Sequence, residues 1–252
     1  MKRLLAPESA DILAQLAWSR ALLGFDFDGT LAPIVNERDQ AFMRARTREL
    51  FAQVCTRYPC AVISGRSQMD VAARLGGAAV RYIVGNHGLE PGAELGEFEK
   101  EIAATRPLLE VALAGCPGVE IEGKRYSLAV HYRKSRRKNE ARAAIADAIR
   151  SVPLPMRVIG GKLVFNVVPA RAPNKGDALI RLRGLEGANT ALYLGDDLTD
   201  EDVFGLYQPG RLLTVRVGES GSSAARYFLR DQREVDVFLA RLVALRAVEP
   251  AR

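Results

Sequence analysis

Asp26 and Asp28 stand one residue apart in the segment Asp26-Phe27-Asp28-Gly29-Thr30-Leu31. On an extended backbone, alternate side chains point the same way. One carboxylate can then lie beside a metal and a substrate, with its neighbour within proton-transfer reach. Alone, the motif also reads as a turn with a helix cap. Ser64-Gly65-Arg66 offers a hydroxyl and backbone amides, which suit a phosphate oxygen. A capping serine is the plainer reading of Ser64. Asn174-Lys175-Gly176 sets a lysine at a helix start, against the helix dipole. A bound anion would offset that cost, and a surface lysine with its head in water is the alternative. Asp196-Asp197-Leu198-Thr199-Asp200-Glu201-Asp202 places five carboxylates in seven residues. Such groups repel unless solvated or bound to a cation, and oxygen-rich sites suit magnesium. An acidic first turn of a helix is favourable by itself and is the competing account.

These segments need a frame that brings them to one edge. Ala21–Phe25, Cys60–Ile63, Tyr82–Val84, Ala191–Leu194 and Leu213–Val217 are short, continuous apolar runs and read as buried strands. Helical spacing separates them: Leu50, Phe51, Val54 and Cys55; then a helix capped by Ser67 and carrying Val71 and Leu75; then a helix after Asn174. A last helix has Val235, Phe238, Leu239, Leu242 and Val243 on one face. This alternation predicts a Rossmann-like α/β core, a parallel sheet with helices on both faces. The four segments follow strands or open helices, where ligand sites of open parallel sheets lie.

The middle has another pattern. Residues 99–113 read as a helix, and Gly123-Lys124-Arg125 as the turn of a hairpin between 119–122 and 126–130. Asn139 to Ile149 is a second helix. Met156–Ile159, Gly160-Gly161 and Leu163–Phe165 make a second hairpin. A smaller α+β cap domain is therefore expected at 103–171, inserted into a core formed by 1–102 and 172–252.

Composition narrows the setting. The chain has 252 residues and a formal net charge of +6, so an acidic partner is expected, either nucleic acid or a phosphorylated metabolite. The densest basic run, Arg133-Lys134-Ser135-Arg136-Arg137-Lys138, reads as a solvated surface. Three cysteines, Cys55, Cys60 and Cys116, are an odd number without metal-type spacing, which points to a reducing compartment. No apolar run is long enough for a signal core or a membrane span. A cytoplasmic monomer acting on a small molecule, without nucleic acid or membrane partners, is the expectation.

Paired aspartates, then Ser64, Lys175 and the acidic cluster, in that order, resemble the four motifs of the haloacid dehalogenase superfamily of phosphotransferases. The resemblance implies that Asp26 is a nucleophile and a magnesium ligand. It implies that Asp28 is the general acid and base, and binds Mg2+ through its backbone carbonyl. Ser64 and Lys175 would hold the phosphoryl group, and Asp196 would complete the protein ligands. Thr30, Gly65, Asp197 and Asp200 would support them.

Longer stretches are similar to one family, the trehalose-6-phosphate phosphatases. They are Val62–Arg66, Gly85-Asn86-His87-Gly88, Glu120–Lys124, Ser127–Arg133, Asn174–Gly176, Gly195–Asp202 and Ala224–Leu229. The resemblance implies a substrate pocket lined by Arg66, Asn86 and His87 from the core and by Glu122 and Lys124 from the cap. His87 also reads as a structural histidine, as does His131; Glu122 and Lys124 also read as turn charges. One departure stands out. The family usually carries a glutamate in Lys-x-Val-x-Glu-x-x-Pro; here the stretch is Lys162–Pro169, with Asn166 in that place. An amide offers no charge-assisted acceptor. Phosphatases of related glycoside phosphates, such as mannosyl-3-phosphoglycerate or a pseudo-disaccharide phosphate, therefore stay open. So does a non-catalytic sugar-phosphate or nucleic-acid binder, although a binder has no use for Asp28 as a proton shuttle.

Overall fold

The structure is a computed structural model describing residues 1–35, 37–92, 94–161 and 163–247. Contacts divide the chain into two units, Met1–Glu90 with Pro173–Arg252, and Pro91–Ala172.

The first unit is built on seven strands: β1 (Lys2–Arg3), β2 (Ala21–Phe25), β3 (Cys60–Ile63), β4 (Tyr82–Val84), β9 (Thr190–Gly195), β10 (Leu212–Val217) and β11 (Tyr227–Leu229). They pair in the order β1-β11-β10-β9-β2-β3-β4, and every pairing is parallel. All five residues of β2 are buried, as expected of a strand covered on both faces. The period of two sends Leu23 and Phe25 to one layer and Leu22 to the other. The first layer holds α1 (Ala10–Trp18), α2 (Ala45–Arg57), α3 (Gln68–Arg74) and α8 (Gln232–Leu245) through Leu13, Phe51, Val71 and Phe238. The second holds α6 (Lys175–Glu186) and α7 (Glu201–Phe204) through Leu179, Leu182, Val203 and Phe204. Strand order reverses at β2, whose neighbours are β3 and β9. Ligand crevices of doubly wound sheets open at the carboxyl ends of the strands at such a reversal. Ser67 caps α3 as expected, accepting from the Asp70 N–H.

The second unit runs α4 (Leu95–Leu113), β5 (Glu120–Lys124), β6 (Ser127–His131), α5 (Lys138–Ser151), β7 (Met156–Gly161) and β8 (Val164–Pro169). Its sheet is antiparallel in the order β5-β6-β8-β7, and α4 and α5 cover one face through Leu109, Leu113, Ile145 and Ile149 against Leu128, Val130 and Val167. The expected helix–hairpin–helix–hairpin order is present, with two turns displaced. Lys124 pairs with Ser127, so the first turn is Arg125-Tyr126 and Gly123 lies within β5. A Cβ there would come 2.9 Å from the tip of the half-exposed Arg106 side chain, which can move aside. In the second hairpin, Gly161 pairs with Val164, so the glycine pair is strand, and Leu163 takes the left-handed backbone at φ 61°. Lys162 lies outside the described residues.

The helix expected at 99–113 begins at Leu95, and the unit begins at Pro91 where the sequence suggests 103. The extra turn carries Leu95 and the buried Phe98 in step with Ile102, but Gly96 and the charges of Glu97, Glu99 and Lys100 break up the apolar pattern in the sequence. Arg171 binds this end of the helix from 70 to 77 residues away, with nitrogen–oxygen distances of 2.7–2.8 Å to Glu94, Glu97 and Glu101, a partner that local periodicity cannot show. No helix among the described residues is long and apolar enough to cross a membrane.

Candidate active site

Asp26 is the first residue past β2. Its N–H donates to the Leu194 carbonyl at 2.8 Å, extending the β2–β9 pairing one step and fixing the backbone of the carboxylate. The chain then turns tightly: Gly29 donates to Ala32 and Ala32 to Phe27, each at 2.8 Å. Gly29 has φ 80°, and a Cβ there would lie 2.1 Å from Asp196 Oδ2. Only glycine permits this approach of the loop to the Asp196 carboxylate. Thr30, fully buried, donates its hydroxyl to Asp196 Oδ1 at 3.2 Å.

Lys175 opens α6, yet it is no surface lysine. It is 1% exposed, with Nζ 3.0 Å from Asp26 Oδ1 and 2.8 Å from Asp200 Oδ1. Those carboxylates offset the unfavourable end of the helix dipole. Asn174 and Asp177 complete the start as a capping box. Asp200 has no solvent exposure and accepts four bonds. Oδ1 takes Lys175 Nζ and the Tyr193 hydroxyl, and Oδ2 takes the N–H groups of Asp196 and Asp197. Burial alone would raise its carboxyl, but Lys175 and these bonds outweigh that and hold it below the ordinary value. Asp200 thus shapes the loop that presents Asp196, and Gly195 leaves room for it, since a Cβ there would meet the Asp200 carboxylate at 2.3 Å. Asp197 turns away to cap the next turn through Leu198 N–H.

Ser64 follows β3 and is fully buried. It caps no helix; its Oγ accepts from the Arg66 N–H at 3.2 Å. The Arg66 guanidinium grips Asp28 side-on, with Nε and Nη2 donating to the two carboxylate oxygens at 2.7 Å each. The resemblance puts Arg66 in the pocket lining; here its guanidinium also holds acidic side chains of its own unit. Asn86 and His87 occupy the loop after β4 at φ 47° and 58°. Residues without a glycine's freedom hold that conformation only when their surroundings enforce it. The enforcing bonds run from Asn86 N–H to the Arg66 carbonyl at 2.7 Å and from His87 N–H to the Ser64 carbonyl at 2.9 Å. The His87 ring lies over Gly65, where a Cβ would be 2.4 Å from the imidazole.

Asp26, Asp196 and Asp200 bring carboxylate oxygens within 4.8 Å of one another. Three carboxylates against the single ammonium of Lys175 leave two negative charges uncompensated. Burial raises the Asp26 carboxyl well above its ordinary value; Lys175 opposes this, while Asp200 and Asp196 add to it. Burial, Asp200 and Asp197 push Asp196 up to about 7. One divalent cation closes that deficit, and hard oxygen donors are the set that magnesium takes. With Asp200 already accepting four bonds, Asp26 and Asp196 are the side chains with oxygens to spare for it.

In the second unit, strand register aligns Glu122, Ala129 and Asn166 across β5, β6 and β8. Directly paired residues share a sheet face, and Lys124, two positions from Glu122, shares it too. Glu122 is held by His131, Oε2 to Nε2 at 2.9 Å, so His131 binds a candidate site residue and not the backbone.

Sequence reasoning missed Tyr193, Gly24 and Asp70. Tyr193 is fully buried under Asp200, and Gly24 makes room for its ring, where a Cβ would come 2.8 Å from Tyr193 Cδ2. A tyrosine in an otherwise aliphatic buried strand was the available signal, since its hydroxyl must find a partner.

The parallel core reversed at β2, the carboxylates at its carboxyl edge and the separate α+β unit define a haloacid dehalogenase-like fold with a cap. The trehalose-phosphatase family model matches residues 24–233, and the chain belongs to that family. Trehalose-phosphate phosphatase of Mycobacterium tuberculosis (strain ATCC 25618 / H37Rv) is 35% identical over 245 residues, 90% of this chain and 62% of that protein. The chain thus spans about three-fifths of the length of such curated relatives. The structure of Aspergillus fumigatus trehalose-6-phosphate phosphatase superposes with a TM-score of 0.71 at 25% identity, covering 97% of this chain and 99% of that one. The C-terminal domain of the C. albicans trehalose-6-phosphate phosphatase shares the fold, with a TM-score of 0.75 at 24% identity over 93% of this chain and 96% of that chain.

Proposed function

We propose that this chain is a magnesium-dependent phosphatase that hydrolyses trehalose 6-phosphate, acting as a monomer in the cytoplasm. The observation that carries the reaction is Lys175, buried between Asp26 and Asp200 beside Asp196. Family membership supports the substrate. Asp26 attacks phosphorus, and the bond from phosphorus to the sugar oxygen breaks as the aspartyl phosphate forms. Asp28 gives its proton to the departing oxygen. Water then attacks phosphorus, Asp28 takes its proton, and Asp26 is released with inorganic phosphate. An ammonium has three N–H groups; two of those on Lys175 hold Asp26 and Asp200, and the third is directed to a phosphoryl oxygen, with Ser64 as its companion. Asp26, Asp196 and the Asp28 carbonyl would hold magnesium, which would supply charge compensation for nucleophile and phosphate. Asn86 and His87, with Arg66 beyond its hold on Asp28, are the core's sugar contacts. Glu122, Lys124 and Asn166 are those of the cap, supported by their common sheet face.

Magnesium binding carries its own pH signature. Asp196 in the folded chain holds a proton up to about pH 7, against an ordinary aspartate value of 3.8. Between those values the folded state binds more protons than the unfolded one, so the metal-free fold loses stability as pH rises through that window. Above it the ionised site is free for the cation. At a hundredfold excess over its dissociation constant, Mg2+ is expected to raise the thermal midpoint by about 5–10 °C at pH 8. At pH 5.5 the shift should be much smaller, because the proton competes. Differential scanning fluorimetry at both values checks this; equal shifts would remove Asp196 from the metal site.

A related glycoside phosphate is the second reading, favoured by Asn166 alone. Magnesium-dependent phosphate release from a panel of phosphorylated sugars separates the two. Trehalose 6-phosphate should outrun glucose 6-phosphate, and a failure to do so would sink the leading substrate. Asn166→Glu, which replaces a neutral acceptor by a charged one, is expected to lower KM for trehalose 6-phosphate by about 5- to 10-fold.

A further inference from the structure

The side chain of Arg66 is 1% exposed, and it binds two carboxylates on different elements. Besides Asp28 it holds Asp70, with Nη1 donating to Oδ2 at 2.8 Å. The two anions are held very differently. Asp70 lies in the first turn of α3, its N–H bonded to Ser67 Oγ at 3.2 Å. Its other oxygen accepts from Arg74 Nε at 2.7 Å. Arg74 is tied in turn to the carbonyls of Asp39 and Ala41 at 2.9 and 3.0 Å. Asp70 is thus clamped between two guanidiniums, one of them fastened to a separate loop. Asp28 lies within the tight turn between Phe27 and Gly29, and its side chain is 39% exposed.

In the proposed reaction Asp28 gives a proton to the sugar oxygen and later takes one from water. While Arg66 grips it side-on, both of its oxygens accept from the guanidinium on the side where a carboxyl ordinarily carries its proton. The Asp28–Arg66 pair therefore has to open in each cycle. Opening would leave a buried guanidinium without a counter-ion unless a second anion stays behind. We infer that Asp70 is a positioning residue for the acid–base step, the fixed anion that keeps Arg66 neutralised and in place while Asp28 leaves and returns. The inference rests on the phosphatase reading, and it makes the chain Asp28–Arg66–Asp70–Arg74 a latch with one moving end. Without Asp70, Arg66 loses the anion bound at Nη1 and holds Asp28 harder.

The test compares leaving groups. The alkoxide of trehalose 6-phosphate needs Asp28's proton to depart, while the phenolate of p-nitrophenyl phosphate departs without one. Single-turnover formation of the phosphoenzyme is measured for Asp70→Asn with magnesium and each ester. The first transfer from trehalose 6-phosphate should slow about 10-fold while that from p-nitrophenyl phosphate changes by about twofold or less, since general acid catalysis contributes only to the former. Asp70→Glu should restore most of the loss. Equal losses on both esters would make Asp70 a structural residue, and no loss on either would remove the latch. If the wild-type chain released phosphate from neither ester, the phosphatase reading would fail and the latch with it.

Discussion

Asp26→Asn is expected to abolish phosphate release, with a loss above about 10³-fold in kcat, the scale seen when a covalent nucleophile is removed. An amide at this position has the size and place of the carboxylate. It can still accept the Lys175 bond now made at 3.0 Å, so substrate binding and fold should survive. Stability sets this loss apart from simple damage. Burial, opposed by Lys175 and reinforced by Asp200 and Asp196, already disfavours the ionised form of Asp26. Removing that charge relieves the metal-free site, so the metal-free variant should melt at or above the wild-type temperature. Acid quench with labelled substrate should trap a phosphoenzyme in the wild type and none in the variant. Measurable turnover through a trapped phosphoenzyme in Asp26→Asn would put the nucleophile elsewhere.

Much of this architecture is legible because its signals are local. Strand β3 coincides with the apolar run Cys60–Ile63, and β4 with Tyr82–Val84. Asp26 and Asp196 are readable as strand-end carboxylates for the same reason: each follows a short apolar run. What escapes depends on partners far along the chain. Lys175 at a helix start reads equally well as a surface residue until Asp26 and Asp200 are seen around it, 149 and 25 residues away in sequence. Arg66 belongs to a recognisable Ser-Gly-Arg, but its grip on Asp28 spans 38 residues. The glycine pair at 160–161 invites a turn, because a turn is the commonest use of two glycines. Pairing with Phe165 and Val164 carries the strand through them. Of the site's supporting residues, Asp200 was readable within the acidic cluster, but its task was not. Nothing in the spacing says that it serves two backbone amides, a tyrosine and a lysine together.

That fourfold task makes Lys175→Met the substitution with the largest expected cost to the fold. Methionine matches the length of the lysine stem but removes the ammonium between Asp26 and Asp200. Burial opposes Lys175's own charge, yet the two carboxylates outweigh it and raise its pKa, so the ammonium is firmly charged in the folded chain. Taking away one partner of a buried ion pair strands the other and costs about 3–5 kcal/mol. That is a large share of an ordinary domain's stability of about 5–15 kcal/mol. Urea denaturation should therefore show a much lower midpoint, with the deficit reduced when magnesium is present to compensate the carboxylates. Activity should be lost as well, since the nucleophile loses its holder and the phosphoryl group a donor. Adding Asp200→Asn separates the two effects. The double variant no longer buries the stranded Asp200 charge, and the asparagine oxygen can still accept the amides of Asp196 and Asp197. Its midpoint should recover by at least half while its activity stays lost. A single variant as stable as the wild type would mean that Asp26 and Asp200 are not held as buried anions. A double variant with restored turnover would mean that Lys175 acts on the fold alone.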